Sequence, residues 1–381
     1  MPAEKHADAS LFLSGSLAEL GDWRSDGRPL KRDHEGRHRT TLKLPIGRVV
    51  EYKVTRGGWD TVEKGEGGGE RPNRRLEVDA DALVEIEVLS WSDQPVEPVA
   101  EAPPGTEAQA PAVITSTLTG DIRFHHDFAS GFLRNQRMLA VYLPPGYEDE
   151  PGRRYPVVYM HDGQNVFDAS MAANGVEWRA DETAERLIRA GRIEPIIIVG
   201  IYNNHHRESE YTPYYDAVRG VSGRGRNYAR FVAGEVKPFM DQHYRTLGER
   251  RHTAVVGSSL GGLISLYICM EHPDLFSMCG AMSPTLLWDR RRILRDMRGR
   301  FEILRQCRFW VDMGTAESSD PAELRRMLGD IRGLSNILTN AGLRKNRDFR
   351  HEIVPGGEHN EAAWAARFGR LLEFFYGRKS A

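Results

Sequence analysis

Cysteine is scarce in this chain: Cys269, Cys279 and Cys307 are the only three among 381 residues. An odd, sparse set in apolar contexts argues against a disulfide framework as the source of stability. An excess of one charge is lacking too, since the formal net charge is −2. No global basic field is available to hold nucleic acid, so no nucleic-acid partner is expected. No basic-then-apolar segment precedes Leu11, and no apolar run approaches a membrane span. The expectation is therefore no membrane partner and a cytoplasmic location. There is no internal repeat, and the length is more than one ordinary domain needs and enough for two.

What is present divides the chain. From Trp91 to Val113 there are five prolines, no aromatic after Trp91 and little apolar bulk. Such composition makes a semi-rigid, extended linker with no core of its own. Residues 1–90 hold short strand-like runs, at Leu11–Leu13, Arg39–Leu44, Val49–Val54 and Ala82–Val88, separated by turns rich in Gly, Asp and Asn. That pattern predicts a small β-sandwich. Residues 114–381 hold apolar runs that read as strands ending in polar loops, among them Tyr155–Met160, Ile196–Ile201 and Arg308–Met313.

Within that domain the most informative stretch is Gly257-Ser258-Ser259-Leu260-Gly261-Gly262. Thr253–Val256 reads as a buried strand and Leu263–Met270 as an apolar helix. A strand turning sharply into a helix pushes its turn residue outward and brings the residues two before and two after it too close for side chains. The rule selects Ser259 as the centre rather than Ser258. The helix adds its positive N-terminal end beside the serine.

A serine hydroxyl is a weak nucleophile and needs a base and a group to orient that base. In sheet enzymes of this kind these follow as Asp or Glu and then His. Arg308–Met313 predicts a strand with the loop Gly314–Asp320 at its end; Phe349–Val354 predicts another, running into Pro355–Asn360. His359 is the expected general base and Glu317 the chosen acid, with Asp320 a nearby carboxylate and Asp312 inside the strand. His351 and His272 read as structural. The second oxyanion donor is expected in the loop after Tyr155–Met160, at Gln164, with Gly163 allowing close backbone approach and Leu260 supplying the other amide. His161 and Asp162 lack a clear third metal ligand, and the adjacent side chains of His205 and His206 diverge, so no metal is expected.

Arg137–Tyr147, Tyr159–Phe167, Gly257–Gly262 and Gly356–Asn360 together resemble the esterase family that includes esterase D, feruloyl and acetylxylan esterases, enterochelin esterases and the antigen 85 mycolyltransferases. The resemblance spans about residues 120–378, with the motifs in family order. It implies an α/β-hydrolase fold, a triad of Ser259, Glu317 and His359, and an oxyanion pair at the Gln164 and Leu260 amides. Family members often carry Asp at the acid position, so Glu317 is a departure. The implied activity is hydrolysis of a small-molecule or carbohydrate ester through an acyl-enzyme, without metal or organic cofactor. Siderophore-ester hydrolysis, acyl transfer and non-catalytic glycan binding are the alternatives.

Residues 1–90 carry a second resemblance. Leu20–Trp23, Leu44–Gly47, Glu51–Lys53 and Pro72–Arg74 are similar to a starch-binding module of the carbohydrate-binding family 20 type. The resemblance implies a glycan platform at Trp23 and Lys53. The family's second platform tryptophan is replaced by Gly68, leaving Trp59 as a substitute from an earlier loop. Two further features bear on substrate. The Tyr202–Tyr215 loop carries Arg207, which with Arg224 is a candidate cation for an anionic ester or an internal ion-pair partner. Trp178 is read as a pocket wall or lid anchor.

Overall fold

A computed structural model describes residues 10–32, 37–45, 48–65, 73–78, 84, 86, 88, 90–93, 116–172, 175–204, 206–216 and 223–378. Two compact units divide the chain, Met1–Ala110 and Pro111–Ala381. Nearly all of the expected linker, residues 94–113, lies outside the described residues.

The first unit contains β1 (Leu11–Gly15), β2 (Arg28–Arg32), β3 (His38–Arg39), β4 (Arg48–Thr55), β5 (Glu63–Lys64), β6 (Arg74–Val78) and β7 (Ser90–Trp91). Among the described residues, five of these form an antiparallel sheet in the order β3-β2-β1-β4-β6, and β5 pairs with β7. Leu13, Leu20, Val50, Tyr52 and Val54 make its buried core, with Leu42, Leu44 and Trp91 packed against them. The strand expected over Arg39–Leu44 is only β3 at its start. Beyond it, Arg28 takes Thr40 Oγ1 at 3.1 Å and the Thr41 carbonyl at 3.2 Å, so these groups bond a side chain. The strand β2 adds to the runs expected from the sequence, because Arg-Pro-Leu-Lys-Arg shows no apolar alternation. Most of the run expected over Ala82–Val88, and Gly68, lie outside the described residues.

The second unit is built on β8 (Asp121–Ser130), β9 (Asn135–Leu143), β10 (Val157–His161), β11 (Ile197–Ile201), β12 (Thr253–Ser258), β13 (Met278–Met282), β14 (Arg308–Ala316) and β15 (Phe349–Glu358). Its helices are α1 (Ala180–Arg189), α2 (Arg207–Glu210), α3 (Gly225–Phe231), α4 (Lys237–His243), α5 (Leu260–Glu271), α6 (Trp288–Arg298), α7 (Phe301–Leu304), α8 (Pro321–Asn340) and α9 (Glu361–Tyr376). Among the described residues the sheet is eight-stranded, ordered β15-β14-β13-β12-β10-β11-β9-β8. The strands from β11 to β15 pair in parallel, and β8 and β9 add antiparallel at one edge.

This is the α/β-hydrolase arrangement the sequence implies. Successive side chains of a strand face opposite sides of the sheet, and both faces of a parallel sheet are covered. Val157 and Tyr159 accordingly join the core under α3, α5, α6 and α8, whereas Val158 and Met160 join the one under α1 and α9. Residues Gly261–Met270 of α5 are all buried, which explains why that helix is apolar all round.

The strand β15 runs further than expected, through Pro355, Gly356 and Gly357 to Glu358. An edge strand tolerates Pro, because the missing N–H faces no partner. Gly356, at φ 68°, donates its N–H to Thr315 Oγ1 at 2.8 Å. The extension sets His359 directly at the strand's end.

Candidate active site

The polar residues gather at the carboxyl ends of β10, β12, β13, β14 and β15. The chain leaves β10 to β11 on one side and reaches β12 on the other, and such a switch point opens a crevice in an α/β sheet. Ser259 sits between β12 and α5 with φ 56° and ψ −122°, a conformation that L-residues rarely adopt and that holds the side chain out from the turn. A Cβ on Gly257 would lie 2.7 Å from the carbonyl carbon of Gly261, so only glycine fits there. The Ser259 Oγ lies 3.2 Å from Thr285 Oγ1. Thr285 was not singled out from the sequence, although the polar Ser283-Pro284-Thr285 following an apolar strand is a usable signal.

Glu317 follows β14 and is buried, and its Oε2 lies 2.5 Å from His359 Nδ1. Its Oε1 accepts hydrogen bonds from Ser283 Oγ at 2.5 Å and the Gly314 N–H at 2.7 Å. Burial works to raise the Glu317 carboxyl, but His359, Ser283 and Gly314 outweigh it and hold it below the usual range. It stays ionised through neutral pH. Asp320 does something else: it caps α8, accepting from the Ala322 N–H at 2.8 Å. Asp312 lies within β14; burial pushes its carboxyl up to about 6, against the lowering effect of Arg367, which pairs with it at 3.2 Å.

Arg367 is a residue the sequence did not disclose. It looks like a surface arginine of α9, yet it is 1% exposed and donates to Ser283 Oγ at 2.8 Å. Trp364, one turn earlier, donates to the same oxygen at 3.1 Å, and its ring meets the edge of His359 at 5.1 Å. Behind it Trp178 is 4% exposed, packed on Trp364 and Phe368. Trp178 is thus a core side chain and is not among the residues that line the cavity beside His359, so the reading of it as a pocket wall is corrected.

Gln164 lies in a single helical turn, Gly163–Asn165, just after β10, and its side-chain oxygen accepts the Asn203 N–H at 3.2 Å. A Cβ on Gly163 would stand 2.6 Å from the Gly200 carbonyl carbon, so the missing side chain lets this turn press against β11. Leu260 is the first residue of α5, where N–H groups have no partner within the helix.

His161 is buried, bonds Tyr228 OH at 2.9 Å and is pushed down to about 3 by burial, so it is neutral. Asp162 accepts a two-pronged ion pair from Arg207, at 2.7 and 2.8 Å, and a hydrogen bond from Asn203 at 2.5 Å. Arg207 is therefore committed to holding the loop and is not a free cation for substrate, while Arg224 donates to the Leu133 carbonyl at 3.0 Å. His205 lies outside the described residues.

Arg207→Met should lower Tm by the equivalent of about 2 kcal/mol, less than the ~3–5 kcal/mol of a fully buried broken pair because Arg207 keeps some contact with water. Thermal denaturation with kinetics on neutral and anionic esters checks this. A rise in KM confined to anionic esters would mean the guanidinium reaches substrate after all.

Among the described residues, Glu177, Asp181 and Glu182 bring carboxylate oxygens within 4.8 Å of one another. Burial and a hydrogen bond with Glu182 push the Asp181 carboxyl up to about 8, which reduces the negative charge of the cluster at neutral pH.

An outward serine in a strained strand–helix turn, at the same sheet edge as a carboxylate–imidazole pair, is suited to acyl chemistry. The family model described as "Putative esterase" matches residues 130–375. The chain belongs to this esterase family. The esterase is a carboxylic-ester hydrolase of the α/β-hydrolase fold. It is 23% identical over 248 residues to the uncharacterized protein YbbA of Bacillus subtilis, covering 64% of this chain and 93% of that protein. It is 26% identical over 179 residues to the ferri-bacillibactin esterase BesA of Bacillus subtilis, covering 42% of this chain and 59% of the relative. Its fold resembles a solved ferulic acid esterase, with a TM-score of 0.53 and 22% identity, covering 67% of this chain and 98% of the other.

Proposed function

We propose that the esterase cleaves its ester through an acyl-enzyme on Ser259, with His359 as general base and Glu317 as the acid that orients it. The 2.5 Å hydrogen bond between His359 Nδ1 and Glu317 carries this reading, because it leaves Nε2 as the nitrogen that can take the serine proton. The Ser259 oxygen attacks the carbonyl carbon, and the Gln164 and Leu260 amides hold the oxyanion. His359 then protonates the departing alcohol and activates the water that releases the acid, regenerating Ser259. A fluorophosphonate probe followed by peptide mapping should place the adduct on Ser259. An adduct on Ser258 would sink the assignment.

The natural substrate in this reading is an ester of a carbohydrate, either its acyl or its aryl-acid ester, brought close by the first unit acting as a glycan-binding module. Trp59 is 44% exposed and opens a helical turn. The Trp23 backbone N–H donates to the Gly15 carbonyl at 2.9 Å, and in the neighbouring pair of the β1–β4 ladder Lys53 stands opposite Ser14. Flat aromatic faces beside polar donors are what a sugar ring stacks on. Siderophore-ester hydrolysis is the second reading, favoured by the likeness to BesA. Three free, buried thiols fit a reducing compartment, which supports a cytoplasmic location.

The two units are expected to separate in function. Residues 114–381 should hydrolyse p-nitrophenyl acetate within about twofold of the full-length rate, since the second unit holds all the reacting groups. Trp23→Ala or Trp59→Ala should weaken pull-down on insoluble glucan by about tenfold, with small-ester kinetics unmoved. Full-length protein that binds no glucan would end the carbohydrate reading of the first unit.

A further inference from the structure

A cavity of about 230 Å³ opens beside Glu317 and His359, and it has two chemically different sides. One is apolar, made by Pro284, Leu286 and Leu287 after β13 together with Met327 of α8. The other is acidic, because Glu323 and Asp330 line it from α8. Glu323, Met327 and Asp330 stand at i, i+4 and i+7, the spacing that puts side chains on one helical face. Thr285 also lines the cavity, and its hydroxyl lies 3.2 Å from Ser259 Oγ, so the space is continuous with the reacting groups.

The acidic side is incompletely satisfied. Asp330 is 8% exposed and its Oδ1 accepts from Arg291 Nε at 2.5 Å, but its Oδ2 is buried without a hydrogen-bond partner. Glu323 accepts from Ser318 Oγ at 2.6 Å. A buried carboxylate oxygen left without a donor is costly, and a matching N–H or O–H entering the site relieves that cost. An entering carboxylate or catecholate would instead face Asp330 and Glu323 in a cavity whose described lining holds no lysine or arginine, and like charges at short range repel.

We propose that this cavity is the subsite for a donor-rich part of the ester, a polyol or an ammonium group, accepted by Asp330 and Glu323. The esterase thereby selects hydroxyl-bearing or cationic esters over anionic ones. This rests on the reading of Ser259, His359 and Glu317 as the reacting groups. It also sets the sugar ester above the anionic siderophore ester, on an observation independent of the first unit.

The test compares kcat/KM for esters matched in size but carrying propyl, 2,3-dihydroxypropyl, 2-ammonioethyl or carboxymethyl groups, each placed in turn on the alcohol and on the acyl side. On one side a donor-bearing ester should exceed the propyl ester by about tenfold, and the carboxylate should fall below it by at least about tenfold. A leading dihydroxypropyl ester assigns a polyol, and a leading ammonioethyl ester assigns a cation.

Asp330→Asn and Glu323→Gln should each shrink the donor-to-carboxylate ratio by about tenfold. Glu323→Gln, in the first turn of α8, keeps the test open if Asp330→Asn fails to fold. Equal kcat/KM across the wild-type series would overturn the proposal, and so would a ratio unmoved in the variants. Turnover of the propyl ester by Ser259→Ala would overturn the acyl-enzyme reading instead, which separates the two failures.

Discussion

Ser259→Ala is expected to lower kcat for a p-nitrophenyl ester by about 10⁵–10⁶-fold, as loss of the nucleophile does in a serine triad. Ser258→Ala should leave most of the activity. The difference arises from one residue of chain. Ser258 ends β12 with its side chain buried, whereas Ser259 takes the strained turn and points outward. Gly257 and Gly261 allow that turn by close contact, so the conformation is imposed by packing and is kept when the hydroxyl is removed. Steady-state kinetics on both variants, with circular dichroism to show retained fold, checks the prediction. Comparable loss in both would mean that the elbow does not distinguish them.

Glu317→Gln is expected to cost about 10⁴ in rate, the scale of losing the acid that fixes the imidazole tautomer. An amide in place of Oε2 would donate toward His359 Nδ1 and favour the wrong tautomer. Asp320→Asn should change the rate by less than about twofold, because asparagine also caps a helix. Asp320→Ala should cost ~1 kcal/mol of stability without a matching loss of activity. Parallel rate and denaturation measurements separate the two carboxylates. Mild, equal rate losses in Glu317→Gln and Asp320→Asn would place the acid elsewhere.

Much of this site was legible because strand ends advertise themselves. An apolar run that stops at a polar loop marks the carboxyl edge of the sheet, and Glu317 and His359 follow two such runs and meet there. Whether Glu317 or Asp320 would face the histidine was not legible, since both lie beyond β14. The fold separates them by starting α8 at Pro321, which gives Asp320 to the helix. Arg367 and Trp364 were hidden for another reason. On α9 they fall where an amphipathic helix presents mixed residues, and only the packing against Ser283 shows that they serve the acid. The reach of β15 through Pro355-Gly356-Gly357 was hidden too, because those residues read as a turn unless the strand is known to lie at an edge. In the first unit, β2 lacked the alternation that marks a strand.

The support of Glu317 from α9 has a consequence for the chain while it is being made. Domains emerge and fold from the N-terminus during synthesis. Ser259 leaves the ribosome well before His359, and Trp364 and Arg367, which brace the acid through Ser283, follow in α9. A nascent chain can therefore expose its serine without being able to activate it. Residues before α9 can fold around Ser259 while Ser283, which donates to Glu317, still lacks its bonds from Trp364 and Arg367.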